Sequence, residues 1–470
     1  MRIMNHKGSI TPALLIITSA FVVIIYGMLS VLSLQLDSSH RQTASEEALN
    51  IAEAGINYYR WHLAHDPNDF TDGTGNPGPY NHNYYDPQGK LTGNFSLDIT
   101  SPQGGSSIVV IISTGRTLQY PSIERTITVQ YGKGSYSKYA FLVNSSIWFG
   151  SGSVVNGEIH SNNGIRMDGI NNSKVKSAQE EYMCGGETGC NPPQNKPGVW
   201  GSGPNSYLWE FPAPSIDFNS ISYDLANMKD NAMTDGLYLA PSGSAGYHLV
   251  FQSDGNVTVY KITATNYYRG YSVPGQGLGV GGGQGQGGCQ KHYQIIVSES
   301  PVGSYEIAQT PIIFSESNLW VEGTIKGNIT VVAAQFPIAS NNTNIWIYNN
   351  LVYSSYDGSN RLGLIAENDI YFARDIPENF RVDGALIAQT GQIIRHGYFN
   401  WCGGTNNAIR GSLTINGALA SFYKSYWNYG TAPDSGFINR IITYDTNLLY
   451  NPPPYFPVTG DFEIISWREE

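Results

Sequence analysis

Charge is what this 470-residue chain has least of. Asp, Glu, Lys and Arg together make up 13% of it, about half the roughly 25% of an average soluble domain. The net charge is −11, with no Lys- or Arg-rich run, which argues against binding nucleic acid through a general basic face. Cysteine is scarce too, at four residues. A zinc site needs two close pairs, or one pair near two histidines. C-x5-C followed by two isolated cysteines supplies neither. Cys184 and Cys190 instead close the short loop CGGETGC, a spacing that suits a local disulfide in an oxidising compartment. The pairing of Cys289 and Cys402 stays open. No G-x-S-x-G, H-E-x-x-H or P-loop pattern occurs, and neither a metal nor a cofactor is expected.

Glycine (53) and tyrosine (32) are plentiful instead, a composition that favours β-structure with many tight turns. The exception lies at the start. From Ala13 to Leu36 no charge occurs, and as a helix this stretch spans about 36 Å, enough to cross a bilayer. Arg2, His6 and Lys7 precede it, and the next basic residues are His40 and Arg41. That asymmetry puts the N-terminus in the cytoplasm, the helix in the inner membrane and the remainder outside. The apolar core is too long for a cleaved secretion signal, and no small-x-small site follows it.

The helical pattern then continues. Ala44, Ala48, Ala52, Gly55, Tyr59 and Leu63 recur at three- and four-residue spacing, forming one apolar stripe along an amphipathic helix. Pro67 is the first breaker. One helix is therefore expected to run from residue 9 to 65, apolar all round and then one-sided.

Lys7-Gly8 ahead of such a helix resembles the site cut by prepilin peptidase, between Gly8 and Ser9. Ala52-Glu53-Ala54-Gly55 resembles the AEAG segment of PilX-type pilus assembly proteins, a group of type IV minor pilin-like proteins. The pattern departs from that of major pilins at Ser9, where Phe normally stands, and at Ala13, where a Glu is usual. Near the other end, IITYDTNLLYNPPPYFPVTGDFEIISWRE is similar to the closing segment of large pilus-assembly ectodomains, and GEIHSNNGI to their opening. The resemblance implies a residue 1–8 leader, pilin-like subunits and pilus assembly machinery as partners, a final location in an extracellular pilus, and no enzymatic activity. A plain single-pass anchor with a helical stalk is the competing reading.

Beyond the helix, residues 66–90 are turn-formers. NFSLDIT, IVVIISTG and ERTITVQYG follow as strands of a small antiparallel β module, so 66–134 is taken as linker plus module. From residue 135 to 470 short β runs end in Gly or Asn. LIAENDIYF (364–372) and LIAQTGQII (386–394) superimpose 22 residues apart, and Val321 stands to Ile347 in a similar way. Short strands with a loose period in the low twenties predict a parallel β-helix, with Asn laddering at the turns; a β-sandwich or propeller is the alternative. Residues 171–215, 264–293 and 397–410 read as insertions, among them the Gly tract GQGLGVGGGQGQGGCQ. The fold class expected is mainly β: a long N-terminal transmembrane and amphipathic helix, a small antiparallel module, then a β-helix ectodomain.

The sequence offers two kinds of site. β-Helix enzymes acting on polysaccharides use clustered carboxylates. The candidates are Glu158 with His160 and Asp168, and Glu367 with Asp369, Arg374 and Asp383. The alternative is binding of glycans or surfaces through aromatic faces. FYKSYWNYG (422–430) offers Tyr423, Tyr426, Trp427 and Tyr429 for that role, or for covering the fold. The preferred reading is a non-enzymatic pilin-like subunit with an adhesive ectodomain. Behind it stand a membrane-anchored polysaccharide-acting enzyme and a static envelope scaffold.

Overall fold

The structure, a computed structural model, describes residues 10–102, 108–218, 220–271, 289–338, 342–402, 407–429 and 434–470. Two compact units emerge. The first comprises residues 1–101, 109–132 and 464–470, and the second residues 102–108 and 133–463. The sequence reading ran the ectodomain through to residue 470; in the structure the strand ending there returns to the first unit.

In the first unit one helix, α1 (Thr11–His65), covers 55 residues. Pro12 stands in its first turn, where its missing N–H costs nothing. The helix stops ahead of Pro67, with the Asp66 N–H bonded to His62 O. Four strands follow as an antiparallel meander: β1 (Tyr80–Tyr85), β2 (Leu91–Thr100), β3 (Val109–Thr117) and β4 (Glu124–Ser135). The closing strand (Val458–Glu469) pairs with β4, and Thr126 and Glu470 exchange both backbone hydrogen bonds. All six residues of the expected stripe are buried on α1, joined by Ile51 and Ile56. They pack on the inward positions of the sheet, including Phe95, Leu97, Val109, Ile111, Ile127 and Val129. The segment after α1 is an ordered loop. Asp69 accepts from the Thr71 hydroxyl at 2.7 Å and its N–H at 2.8 Å, and meets His62 Nε2 at 2.9 Å. The hydrogen bonds from Thr71 lead the effects that lower its pKa to about 2.

The second unit is built on parallel ladders. One residue row can be followed through ten strands: Leu237, Ile313, Val331, Leu364, Leu386, Leu419, Phe141, Ile159, Val175, Trp209. A second ladder stacks Leu249, Val321, Ile347 and Phe372. A third runs Leu351, Val382, Ile415, Ile442 and Val155. These rows share one apolar core. The first ladder is also buried on its outer side, where Leu142, Phe314, Val332, Ile365 and Ile387 meet Ile221, Leu225 and Met228 of a helix (Ser220–Asp235). Burial on both faces explains the near-continuous apolar runs LGLIA and GALIA.

The internal similarities seen in the sequence are these ladder pairings. Leu364, Ile365 and Ala366 lie beside Leu386, Ile387 and Ala388, and Val321 lies beside Ile347. Asparagines ladder at the turns: Asn344 N–H donates to Asn318 Oδ1 at 2.9 Å, and Asn368 Nδ2 to Asn344 Oδ1 at 3.0 Å. Chain order does not follow stacking order. The strands at 141–177 run to one end, the chain resumes at 237 at the other end, and it builds back until 409–421 lies beside 141–143. Hence the chain starts and finishes this unit at neighbouring points, with Tyr136 N–H bonded to Pro457 O at 3.3 Å.

Among the expected insertions, 171–215 contains a small hairpin (Glu181–Cys184 with Gln194–Pro197). The described residues of the segment 264–293 belong to a long antiparallel pair, Asn256–Tyr271 with Cys289–Glu306. Residues 275–288 of the Gly tract lie outside the described residues.

Candidate functional site

Two features bear on function: the faces of α1 and the polar and aromatic groups of the second unit. The α1 seam is made of small residues. A Cβ at Gly55 would lie 2.3 Å from Ser113 Oγ and 2.8 Å from the Phe95 ring. A Cβ at Gly115 would lie 2.1 Å from Ala48 O. Helix and sheet thus approach closely because Ala48 and Ala52 face Gly115 and Gly55 faces Ser113 and Phe95. Within the AEAG segment Ala52 and Gly55 are buried, Ala54 is half-buried and Glu53 is exposed. The segment therefore docks the helix on its own sheet. The half from Ile10 to Leu36 is uncovered, its large apolar side chains 50–75% exposed. It is long and apolar enough to cross a membrane. Gly8 and Ser9 lie outside the described residues.

The carboxylate candidates do not converge. Glu158 pairs with Lys176 at 2.7 Å. Buried His160 meets Asn162 Oδ1 at 3.3 Å, and burial leads the causes that hold its pKa down. Asp168 bonds Arg166 at 2.7 Å and Trp148 Nε1 at 2.8 Å. Fully buried Glu367 accepts from Thr343 at 2.7 Å and from Gln335 N–H at 2.9 Å. Asp369, its pKa raised by burial, accepts from Tyr371 at 2.6 Å and Gln392 N–H at 2.8 Å. Arg374 stacks on Tyr268. Asp383 accepts from Arg381 at 2.9 Å and Tyr356 at 2.8 Å. Each carboxylate has its own partners among the described residues.

The aromatic run at 422–430 divides. Trp427 is 8% exposed, donates to Ile393 O at 2.9 Å and packs between Phe141 and Phe372. A buried indole offers no face to a ligand, so Trp427 belongs to the core. Tyr429 bonds Arg395 O at 3.1 Å and packs against Tyr271 and Phe399. Tyr423 is half-buried against Phe422. Tyr426 lies 4.8 Å under Lys424.

Lys424 opens a feature the sequence reading missed. Trp148, Arg166 and Trp200 form one ladder row, the guanidinium 4.2 Å from one indole and 4.9 Å from the other. Lys196 lies over the outer side of Trp200 at 4.9 Å, and Lys424 sits 5.9 Å from Trp148. Arg166 also donates to Thr188 O, and Lys424 to Glu187 O. They hold the loop closed by the Cys184–Cys190 disulfide. Burial lowers the Lys424 pKa to about 8. The signal was present in the matching short segments IWF, IRM and VW, whose alignment puts the two indole rings and the guanidinium between them in register. Cys289 and Cys402 form the second disulfide.

No protein-family model matches this chain, and no curated protein matches it. Among solved structures it is similar to the crystal structure of the competence-associated pilin ComZ from Thermus thermophilus. That similarity spans 91% of this chain and 98% of that one, at 12% identity and a TM-score of 0.33. At that identity and score the likeness decides neither fold nor function.

Proposed function

We propose that this chain is a minor pilin-like subunit of a type IV pilus or related filament, held in the inner membrane through α1 and non-catalytic. The observation that carries the reading is the divided helix. One half is uncovered and apolar on every side, and the other is locked to its own sheet through Ala48, Ala52 and Gly55. A bare anchor needs only the first half. In a filament, the uncovered side chains exchange lipid for neighbouring apolar helices and never meet water. The second unit is read as a parallel β-helix whose ladders are its faces, serving assembly, adhesion or contact with surfaces and glycans. Its shared core and asparagine ladders support that. Pilin-like subunits and the pilus assembly machinery are the partners, with no role for nucleic acid.

Sequencing the N-terminus of the chain purified from membranes and from sheared surface filaments tests this. A start at Ser9, with the chain present in the filament fraction, is the expected result. An intact N-terminus confined to the membrane would leave a static anchor.

A further inference from the structure

We propose that the recess formed by Tyr353, Tyr356, Asn416, Asp445 and Asn447 is a binding site for a neutral saccharide. It deepens the surface-binding part of the proposed function and rests on that part alone. The recess lies where the strand Ile345–Tyr353 ends, beside Asn416 and the turn at Tyr444–Asn447, and encloses about 150 Å³. That is well beyond the space one water needs.

Its wall is fixed in advance. Gly358 has φ of 84°, and a Cβ there would lie 2.8 Å from Asn447 Oδ1, so a side chain would fill the recess. Asn360 ties the same loop down, donating to Ser355 O at 3.0 Å and accepting from Gly327 N–H at 2.8 Å. A preformed wall loses little freedom when a ligand enters.

The lining groups have bonding capacity left over. Asp445, 7% exposed, spends Oδ1 on the Asn447 N–H and side-chain amide, while its Oδ2 has no protein donor among the described residues. Tyr353, 5% exposed, accepts from Leu362 N–H at 3.3 Å, and its own hydroxyl proton has no protein acceptor among the described residues. The Asn416 amide has no side-chain partner among them either. Groups with bonding capacity left over that line one recess suit a ligand rich in hydroxyls.

Charge narrows the class. The Asp383 carboxylate is already met by Arg381, the Tyr356 hydroxyl and Tyr353 N–H at 2.9 Å. Asp445 then leaves the recess negative, and among the described residues no Lys or Arg lines it. Phosphorylated, sulfated and uronic acid ligands are disfavoured. Tyr356, 54% exposed, adds a flat apolar ring whose hydroxyl is anchored. A carboxylate for paired hydroxyls, an amide that donates and accepts, and a ring for a C–H face together fit a pyranose.

The test is saturation-transfer difference NMR on the full chain in lauryldimethylamine oxide micelles, with glucose, galactose, mannose and N-acetylglucosamine as probes. At least one sugar is expected to receive saturation with millimolar affinity. Asp445→Asn and Tyr356→Ala should each weaken it about tenfold or more, while Tyr356→Phe retains most binding. The proposal is overturned if no neutral sugar binds, if binding survives both substitutions in chains with the wild-type unfolding transition, or if only galacturonate or spermidine binds. Because binding is read on the purified chain, its outcome is independent of whether α1 is processed or enters a filament.

Discussion

Trp427 fills the space between Phe141 and Phe372 and satisfies its N–H on Ile393 O. Trp427→Ala is therefore expected to lower stability by about 3–5 kcal/mol, seen as an earlier denaturant transition. Tyr207→Ala, at a residue 80% exposed, should stay within about 0.5 kcal/mol. His248 carries a pH effect. Burial pushes its pKa down, but hydrogen bonds to Glu322 at 3.2 Å and Glu299 at 2.9 Å outweigh burial, and the net shift is upward. A raised folded pKa means the stabilisation is fully present below the unfolded value of about 6.5 and is lost as pH rises through the folded value. The unfolding midpoint should fall across that range in the wild type. If His248→Gln shows the same slope, another group is responsible. From sequence neither residue's role was legible. An aromatic run shows that rings are gathered, not which way each points, and Glu299 and Glu322 lie 51 and 74 residues from His248.

Helix α1 and the disulfides set expectations for whole elements. Gly115→Val places a side chain where Ala48 O already sits. The sheet and helix must part, at about 1–3 kcal/mol or more, and limited proteolysis should cut β3 sooner. The two disulfides close loops with sequence separations of 6 and 113. In the chain-entropy picture their removal costs about 2.5 and about 5 kcal/mol respectively. Cys289→Ser with Cys402→Ser should therefore lower the melting temperature more than Cys184→Ser with Cys190→Ser, by calorimetry of the full chain. Much at this scale was readable. The stripe from Ala44 to Leu63 showed because helical period survives in any sequence that buries one face. The pairs at 364–372 and 386–394 showed because stacked strands repeat the same inward positions. The long pair Asn256–Tyr271 and Cys289–Glu306 did not show, since its two halves flank a Gly tract and alternate weakly.

For the molecule as a whole, the order of strands in the stack was beyond reach of periodicity. Repeats announce that similar strands stack, and their neighbours depend on pairings such as Leu419 with Phe141 across 278 residues. The asparagine ladders and the shared core follow from local residue choice, and both were visible as turn asparagines and inward Ile, Val and Leu. The saccharide recess was not, because it gathers Tyr353 and Asp445 from two strand ends and Asn416 from the middle of a third strand.

The strand that closes the first sheet comes after the whole second unit. A ribosome has made α1 and β1–β4 long before residues 464–470 exist, so the small sheet waits, one edge open, for the ectodomain to be finished. Synthesis cut short anywhere in the ladders leaves a membrane helix on an incomplete sheet, a product marked by its own missing strand. Only a chain that reaches residues 464–470 completes the five-stranded sheet. A chain ending at residue 463 should accordingly accumulate poorly and be cleared by envelope proteases, and supplying residues 458–470 as a separate peptide should restore protection of β4 in hydrogen exchange.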